Sequence, residues 1–257
     1  MIPLDRFVEA EALAYQSSLH FAIVESASHA QGACMYIPKA NEETRTPVLH
    51  ELMRSQSFAS LVTFGKAGLF ASHVPMILEA GGILEAQETP DDRAVPLGVL
   101  NCHVSRANAQ WKDFAPDVEA LAIFSGAQHY ISPSWYEEKQ VTGKVVPTWN
   151  YVVVHAYGSL KVMDDADWLR AHVESLTTIH EAASPEPWAV SDAPADYIAS
   201  IIKGIVGLEM RITRLEGKWK LSQNRSESDR RGVVEGLDAL GSAEMKQLVM
   251  DTLKGRG

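Results

Sequence analysis

Cysteine is scarce in this sequence. The 257 residues hold only Cys34 and Cys102, with no CxxC and no spacing that suits a metal or a disulfide framework. That excludes a disulfide-stapled scaffold and fits a reducing, cytoplasmic compartment. Long apolar runs are missing too, since none approaches the ~20 residues a membrane-spanning helix needs. Positive charge is in deficit, with 23 Lys and Arg against 33 Asp and Glu and a net charge of −10. An acidic chain is a poor candidate for broad electrostatic capture of nucleic acid. There is no GxGxxG, P-loop, GxSxG elbow or HExxH. The 9 histidines show no paired ligand spacing, and His172 and His180, on nearby faces of one expected helix, read as surface residues. No metal is expected. Fixed-period repeats and low-complexity tracts are absent as well.

What remains is an ordinary globular composition, 46% hydrophobic and 22% charged. The first 34 residues, with weak helical periodicity and no basic leader region, read as a poorly packed extension. LHFAIV is too short for a signal peptide. Met35 is a candidate start, and residues 35–257 read as a single domain. TPVLHELMRSQS predicts a helix capped by Thr46 with Pro47 at its first position. FASLVTF and LFASHVPMIL predict two strands around a turn at 65–68, Gly81 and Gly82 another turn, and TPDDR a loop. LGVLNCHV predicts a strand leading into a helix, SRANAQWKDF, capped by Ser105. EALAIFSGAQHYI and VPTWNYVVVHAYG predict two more strands.

Residues 164–183 predict an amphipathic helix capped by Asp164, and ADYIASIIKG a second. VGLEMRITRLEGKWKLSQ reads as a hairpin, with Val206, Leu208, Met210 and Ile212 facing the core. Two short helices follow, the last from Ser242. Six or seven antiparallel strands without βαβ rhythm point to a mainly β fold, a small barrel with helices outside.

Three stretches carry chemistry. In NCHVSRANAQW a strand ends at His103 and delivers Ser105 and Arg106 to an expected helix start, where free N–H groups and a guanidinium suit a phosphate. In VPTWNYVVVHAYG one strand face carries Trp149, Tyr151, Val153, His155 and Tyr157, and the other begins with Thr148 and Asn150. In GKWKLSQNRSESDR, Lys218 and Lys220 share a strand face, followed by Gln223, Asn224 and Arg225. Residues 211–231 are net +4 within a chain of −10, a local positive site that suits a small anion better than a DNA duplex. Aromatics for stacking, amides for a ring's polar edge and cations for a phosphate form the set a flavin mononucleotide needs.

With MYIP, HVSRANAQW, FSGAQHYISPSWY, VPTWNYVVVHAYG and KWKLSQNRSESDR in order, the chain resembles the PaiB family, described as FMN-binding negative transcriptional regulators. The likeness runs from Met35 to about Leu237. It implies an FMN-binding split β-barrel like that of pyridoxamine phosphate oxidases, a homodimer with flavin sites at the subunit interface. Carried onto the family pattern, His103, Arg106 and Asn108 fall on H-x-x-R-x-N. Thr148, Trp149 and Asn150 fall on P-T-W-N, and Lys220, Gln223, Asn224 and Arg225 on K-L-S-Q-N-R. Ala127, Gln128 and His129 replace a usual Pro-His-Ala, and Ala109 replaces a usual Pro.

The functional expectation is an FMN-binding protein acting in regulation, directly or indirectly, since the terminal helix pair offers few donors for base edges. An FMN-dependent oxidoreductase on a small or planar substrate is the alternative, and a flavin-free dimer that binds another protein is the third reading. Cys102, beside His103, is expected to be a buried thiol.

Overall fold

The computed structural model describes residues 35–80 and 97–254. The chain divides into two units, Met1–Tyr36 and Ile37–Gly257, and every strand and helix among the described residues belongs to the second. The expected N-terminal extension, the turn at Gly81 and Gly82 and the TPDDR loop lie outside the described residues.

Eight strands form one antiparallel sheet: β1 (Glu42–Glu43), β2 (Phe58–Gly65), β3 (Gly68–Pro75), β4 (Ile77–Glu79), β5 (Val99–Ser105), β6 (Ala120–Ile131), β7 (Thr148–Met163) and β8 (Ile205–Lys220). The helices are α1 (Thr46–Ser55), the single turn α2 (Glu138–Val141), α3 (Ala166–Glu181), α4 (Ala195–Ile202), α5 (Glu227–Ala239) and α6 (Ala243–Leu253). The strand order is β3-β2-β6-β7-β8-β5-β4, with β1 on β8.

The long strands β7 and β8 form the spine. β8 pairs with β7 from Gly207 to Lys220, while its first residues, 205–211, also pair with β5 and its last turn towards β1 at Gly217 and Lys218. The sheet curls until β3 meets the chain leaving β5. There Asn108 Nδ2 donates to Ser72 Oγ at 2.9 Å, and buried Gln110 donates through Nε2 to Leu61 O and Thr63 Oγ1. The fold is a split β-barrel with flanking helices.

The expected hairpin at 206–223 is instead one continuous strand. Val206, Leu208, Met210 and Ile212 point into the core, and the buried phase then moves to Gly217 and Trp219. A bulge causes the shift. Gly158 lies opposite Ile212 and Tyr157 opposite Arg214, so Thr213 is the extra residue and re-aims everything after it. Its hydroxyl donates to Tyr157 O at 3.1 Å.

The barrel core holds Leu61, Ala122, Phe124, Val154, Ala156, Leu208 and Met210, and α5 and α6 close it with Val233, Leu237, Met245 and Val249. The helix pair is thus part of the barrel's core and not a free helix-turn-helix. Helices α3 and α4, inserted between β7 and β8, have a small core of their own at Leu169, Val190, Ile198 and Ile202, with Trp168 packed against it.

That insertion rests on Gly207, where a Cβ would collide with the Trp168 ring and lie 2.9 Å from Met163 O. Gly207→Ala is expected to cost about 1–3 kcal/mol by overpacking. A urea midpoint unmoved at equal slope would show that the ring yields without cost.

Cap positions differ by one residue from expectation in two helices. Arg45 and not Thr46 precedes α1, and Asp165 and not Asp164 caps α3, accepting from Trp168 N at 2.8 Å. No helix among the described residues is long and apolar enough to cross a membrane.

Candidate functional site

The expected site residues fall into two groups at opposite ends of the spine. His103 lies opposite Gly207, and Lys220 opposite Tyr151. From residue 207 to residue 220 is about 40 Å of strand.

At the first end β5 delivers His103, whose Nδ1 lies 3.1 Å from His172 Nε2, so one ring's N–H donates to the other's bare nitrogen. Trp168 stacks on His172 with centroids 5.2 Å apart and planes 12° from parallel. His172 is 5% exposed. The sequence reading of it as a surface residue is therefore corrected, because α3 turns that face onto the barrel. Burial, reinforced by His103, lowers the His172 pKa to about 4, and burial lowers that of His103 as well. Both rings are neutral near pH 7.

Ser105 ends β5, and its Oγ accepts from Ala107 N at 3.3 Å. No α-helix follows it. The only helical turn is a 3-10 turn, Ala109–Trp111, capped by Asn108, whose Oδ1 accepts from Gln110 N at 2.9 Å. An expected helix dipole aimed at a phosphate is accordingly missing here, since a single turn has little dipole.

Arg106 is fully engaged by protein. It donates to Asp164 Oδ2 at 3.0 Å and Oδ1 at 2.5 Å, to Lys203 O at 2.8 Å and to Ile205 O at 3.0 Å. The guanidinium fastens both ends of the α3–α4 insertion to the barrel. Cys102 is 2% exposed and burial pushes its thiol up to about 12. It is an inert core residue.

At the second end Thr148, Trp149 and Asn150 open β7 beside the close of β8. Asn150 is fully buried, its Nδ2 donating to Ser222 Oγ at 3.0 Å. Ser222 stands at φ 63°, a left-handed conformation that Asn150 helps to hold. Gln223 folds back on its own turn, with Oε1 accepting from Leu221 N at 2.7 Å and Nε2 donating to Trp219 O. Lys220 Nζ donates to Thr148 Oγ1 at 2.5 Å and to Trp149 O.

Burial, then the charges of Lys218 and Arg225, lower the Lys220 pKa. Arg225 lies 4.5 Å over the Tyr136 ring. Asn224 is exposed, and so is Trp149, at 54%, with Tyr130 edge-on to it. His129 sits opposite Asn150 on β6.

The structure thus joins the second and third motif stretches but not the first to them. Sequence reasoning missed Tyr136, Ser222 and Asp164. Tyr136 and Ser222 stood inside quoted stretches, and Asp164 had been read as a helix cap. A pocket of 310 Å³ lined by Glu43, Leu49, Leu97, Arg214 and Glu216 involves none of the expected residues.

A split barrel with aromatic, amide and cationic groups at the strand ends defines a flavin-binding class of protein. Residues 35–214 match the family described as "Putative FMN-binding domain", and the chain belongs to that family. The match begins at Met35 and stops short of Lys220.

The chain is 35% identical to an uncharacterized protein of Aspergillus fumigatus, over 87% of this chain and 98% of that one. It is 30% identical to protease synthase and sporulation protein PAI 2 of Bacillus subtilis, over 86% of this chain and 99% of that one, which upholds the PaiB likeness. Among solved structures the flavocytochrome Anf3 from Azotobacter vinelandii shares the fold, with a TM-score of 0.50 and 10% identity over 76% of this chain and 78% of that one.

FMN is the cofactor of this family, and the residues here fit it. Lys220 and Arg225 make no ion pair among the described residues, Arg225 lies over the Tyr136 ring, and Trp149 offers an open aromatic face.

Proposed function

We propose that this protein is an FMN-binding regulator of the PaiB type whose flavin site is completed by two copies of the chain. In this reading one copy contributes His103, Ser105 and Asn108, with Arg106 fastening that end. The other contributes Thr148, Trp149, Asn150, Lys220, Gln223, Asn224 and Arg225. The observation that carries it is the division of these groups between the two ends of one long strand pair. Exposed Phe58, Phe64 and Leu69 on the β2–β3 hairpin supply apolar surface for a second copy.

The flavin supplies redox chemistry when bound, and the protein's part is to bind and orient it. The PAI 2 relative is named for protease synthase and sporulation, which supports a regulatory role. Direct reading of DNA is disfavoured by the net charge of −10 and by a helix pair whose Val233, Leu237, Met245 and Val249 are spent on the core. The effect on transcription is therefore indirect, through flavin occupancy or a partner protein. An FMN-dependent oxidoreductase is the second reading, favoured by the uncompensated cations beside the exposed Trp149, where an anionic substrate fits.

Purified protein is expected to carry a flavin spectrum and to take up about one FMN per chain. Because binding needs two copies, the bound fraction should fall on dilution as the dimer separates. A colourless protein that ignores added FMN would remove the cofactor and leave the flavin-free protein-binding reading. Turnover of a reduced nicotinamide, set against a gel shift at stated salt, separates oxidoreductase from DNA binder.

A further inference from the structure

The α3–α4 insertion leaves apolar surface uncovered on its outer side. Helix α4 is apolar over a wide arc. At about 100° per residue, Ile198 and Ile202 form one stripe, and Tyr197 and Ile201 form the stripe beside it. The first pair is buried in the insertion's small core. The second pair faces outward, Tyr197 57% and Ile201 47% exposed. Trp188, in the loop that leads to Val190 of the same core, is 46% exposed. Scattered apolar side chains are ordinary on a surface, but paired ones on a single helix face mark an interaction site.

The charge around this face is of one sign. Between Asp164 and Gly204 stand 8 carboxylates against Arg170 and Lys203, so the insertion is −6 in a chain of −10. Asp164 is answered by Arg106, and Glu174 by Arg170. Glu186 and Asp196 are exposed and make no ion pair among the described residues.

We propose that the outer face of α4 is a docking surface for a basic amphipathic helix of a partner protein. Such a helix would lay apolar residues spaced by three and four along Tyr197 and Ile201 and set Lys and Arg against Glu186 and Asp196. It would add a third helix to a unit whose own core is only four buried side chains. A second copy of this chain is a poor occupant, because it would bring −6 against −6. An anionic lipid surface is repelled for the same reason. The inference goes beyond the flavin reading and does not need it, since none of these residues belongs to the flavin site.

The probe is a labelled helical peptide of Leu and Lys, with Leu at amphipathic spacing, titrated into the full-length chain and followed by fluorescence anisotropy. A peptide of the same composition in scrambled order tests the need for an apolar face, and a Leu and Glu peptide tests the sign of charge. Wild type should bind the first saturably and the other two at least tenfold more weakly, about the effect of one lost buried apolar contact or close charge pair. Ile201→Ser should weaken binding roughly tenfold with the melting temperature unchanged, because an exposed side chain leaves no cavity. Glu186→Gln with Asp196→Asn should weaken it severalfold and flatten its dependence on salt.

Equal binding of ordered and scrambled peptides, or of the acidic peptide, overturns the proposal, as does unchanged affinity in Ile201→Ser. An assembly that Ile201→Ser splits into smaller species in sedimentation gives the face to a second copy and overturns it too. Displacement of the peptide by phosphatidylglycerol vesicles gives it to a membrane, with the same result. Peptide binding by protein that takes no flavin upholds the surface and removes only the FMN reading.

Discussion

Replacing Asn150 by Ala is expected to lower stability by about 3 kcal/mol and to weaken FMN binding. Asn150 is fully buried, and its amide and the Ser222 hydroxyl satisfy each other in both directions, at 3.0 and 3.2 Å. Truncation leaves that hydroxyl buried and unmatched, at a cost of about 1–3 kcal/mol. It also opens a void in the packed barrel end, which adds to the loss.

The functional consequence follows from Ser222, which holds a left-handed φ of 63°. A non-glycine residue stays there at a cost of about 1–2 kcal/mol unless its surroundings hold it. Once the bond is gone the Leu221–Arg225 turn can relax, and Lys220 and Arg225 lose their fixed spacing. Ser222→Gly should relieve the strain but leaves the buried Asn150 amide unmatched, so it is expected to destabilise as well. Urea denaturation of both variants, with FMN titration alongside, is the check. A change below about 0.5 kcal/mol in Asn150→Ala, within the range of an ordinary surface substitution, would show that this pair does not order the turn.

Much of the architecture could be read from period and punctuation alone. Alternation along Phe58–Gly65, and again along β6 and β7, placed those strands closely because they have buried positions on one face, whereas LFASHVPMIL, expected as one strand, divides at Met76 into β3 and β4. The break came at β8. A single extra residue, Thr213, inverts the buried phase, and in sequence that inversion looks like a turn between two strands. Only the neighbouring strand reveals otherwise, since Tyr157 and Gly158 continue the ladder across the bulge. The expected helix after Ser105 failed for a related reason. Ser105 is a good helix cap locally, but the side chains of Asn108 and Gln110 beyond it are claimed by Ser72, Leu61 and Thr63 across the barrel seam.

The candidate site was legible as residue types and illegible as geometry. Lys220, Asn150 and Arg225 stood out because cations and amides interrupt a buried strand pattern. Nothing local placed Asp164 against Arg106, since the two meet only when the α3–α4 insertion folds back. For the same reason His172 was read as a surface residue. Its helical neighbours are polar at several positions, and its burial depends on Trp168 and on the space above Gly207.

That buried histidine gives the second large effect, a loss of stability in mild acid. In an unfolded chain His172 titrates near 6.5, whereas in the fold its pKa is lowered to about 4 by burial and by the adjoining His103. The folded pKa is depressed, so the unfolded state binds more protons between these values and stability rises with pH across that window. Its contribution is fully present above pH 6.5 and is lost progressively down to about pH 4, a total of about 3 kcal/mol at 1.36 kcal/mol per unit. His103, also lowered by burial, steepens the fall, because protonating both rings would set two charges 3.1 Å apart. Melting the protein at steps from pH 7.5 to 4.5 should show the decline. His172→Gln should flatten it while keeping a neutral polar group beside His103. An equal decline in that variant would move the acid sensitivity elsewhere and leave the histidine pair as simple packing between the insertion and the barrel.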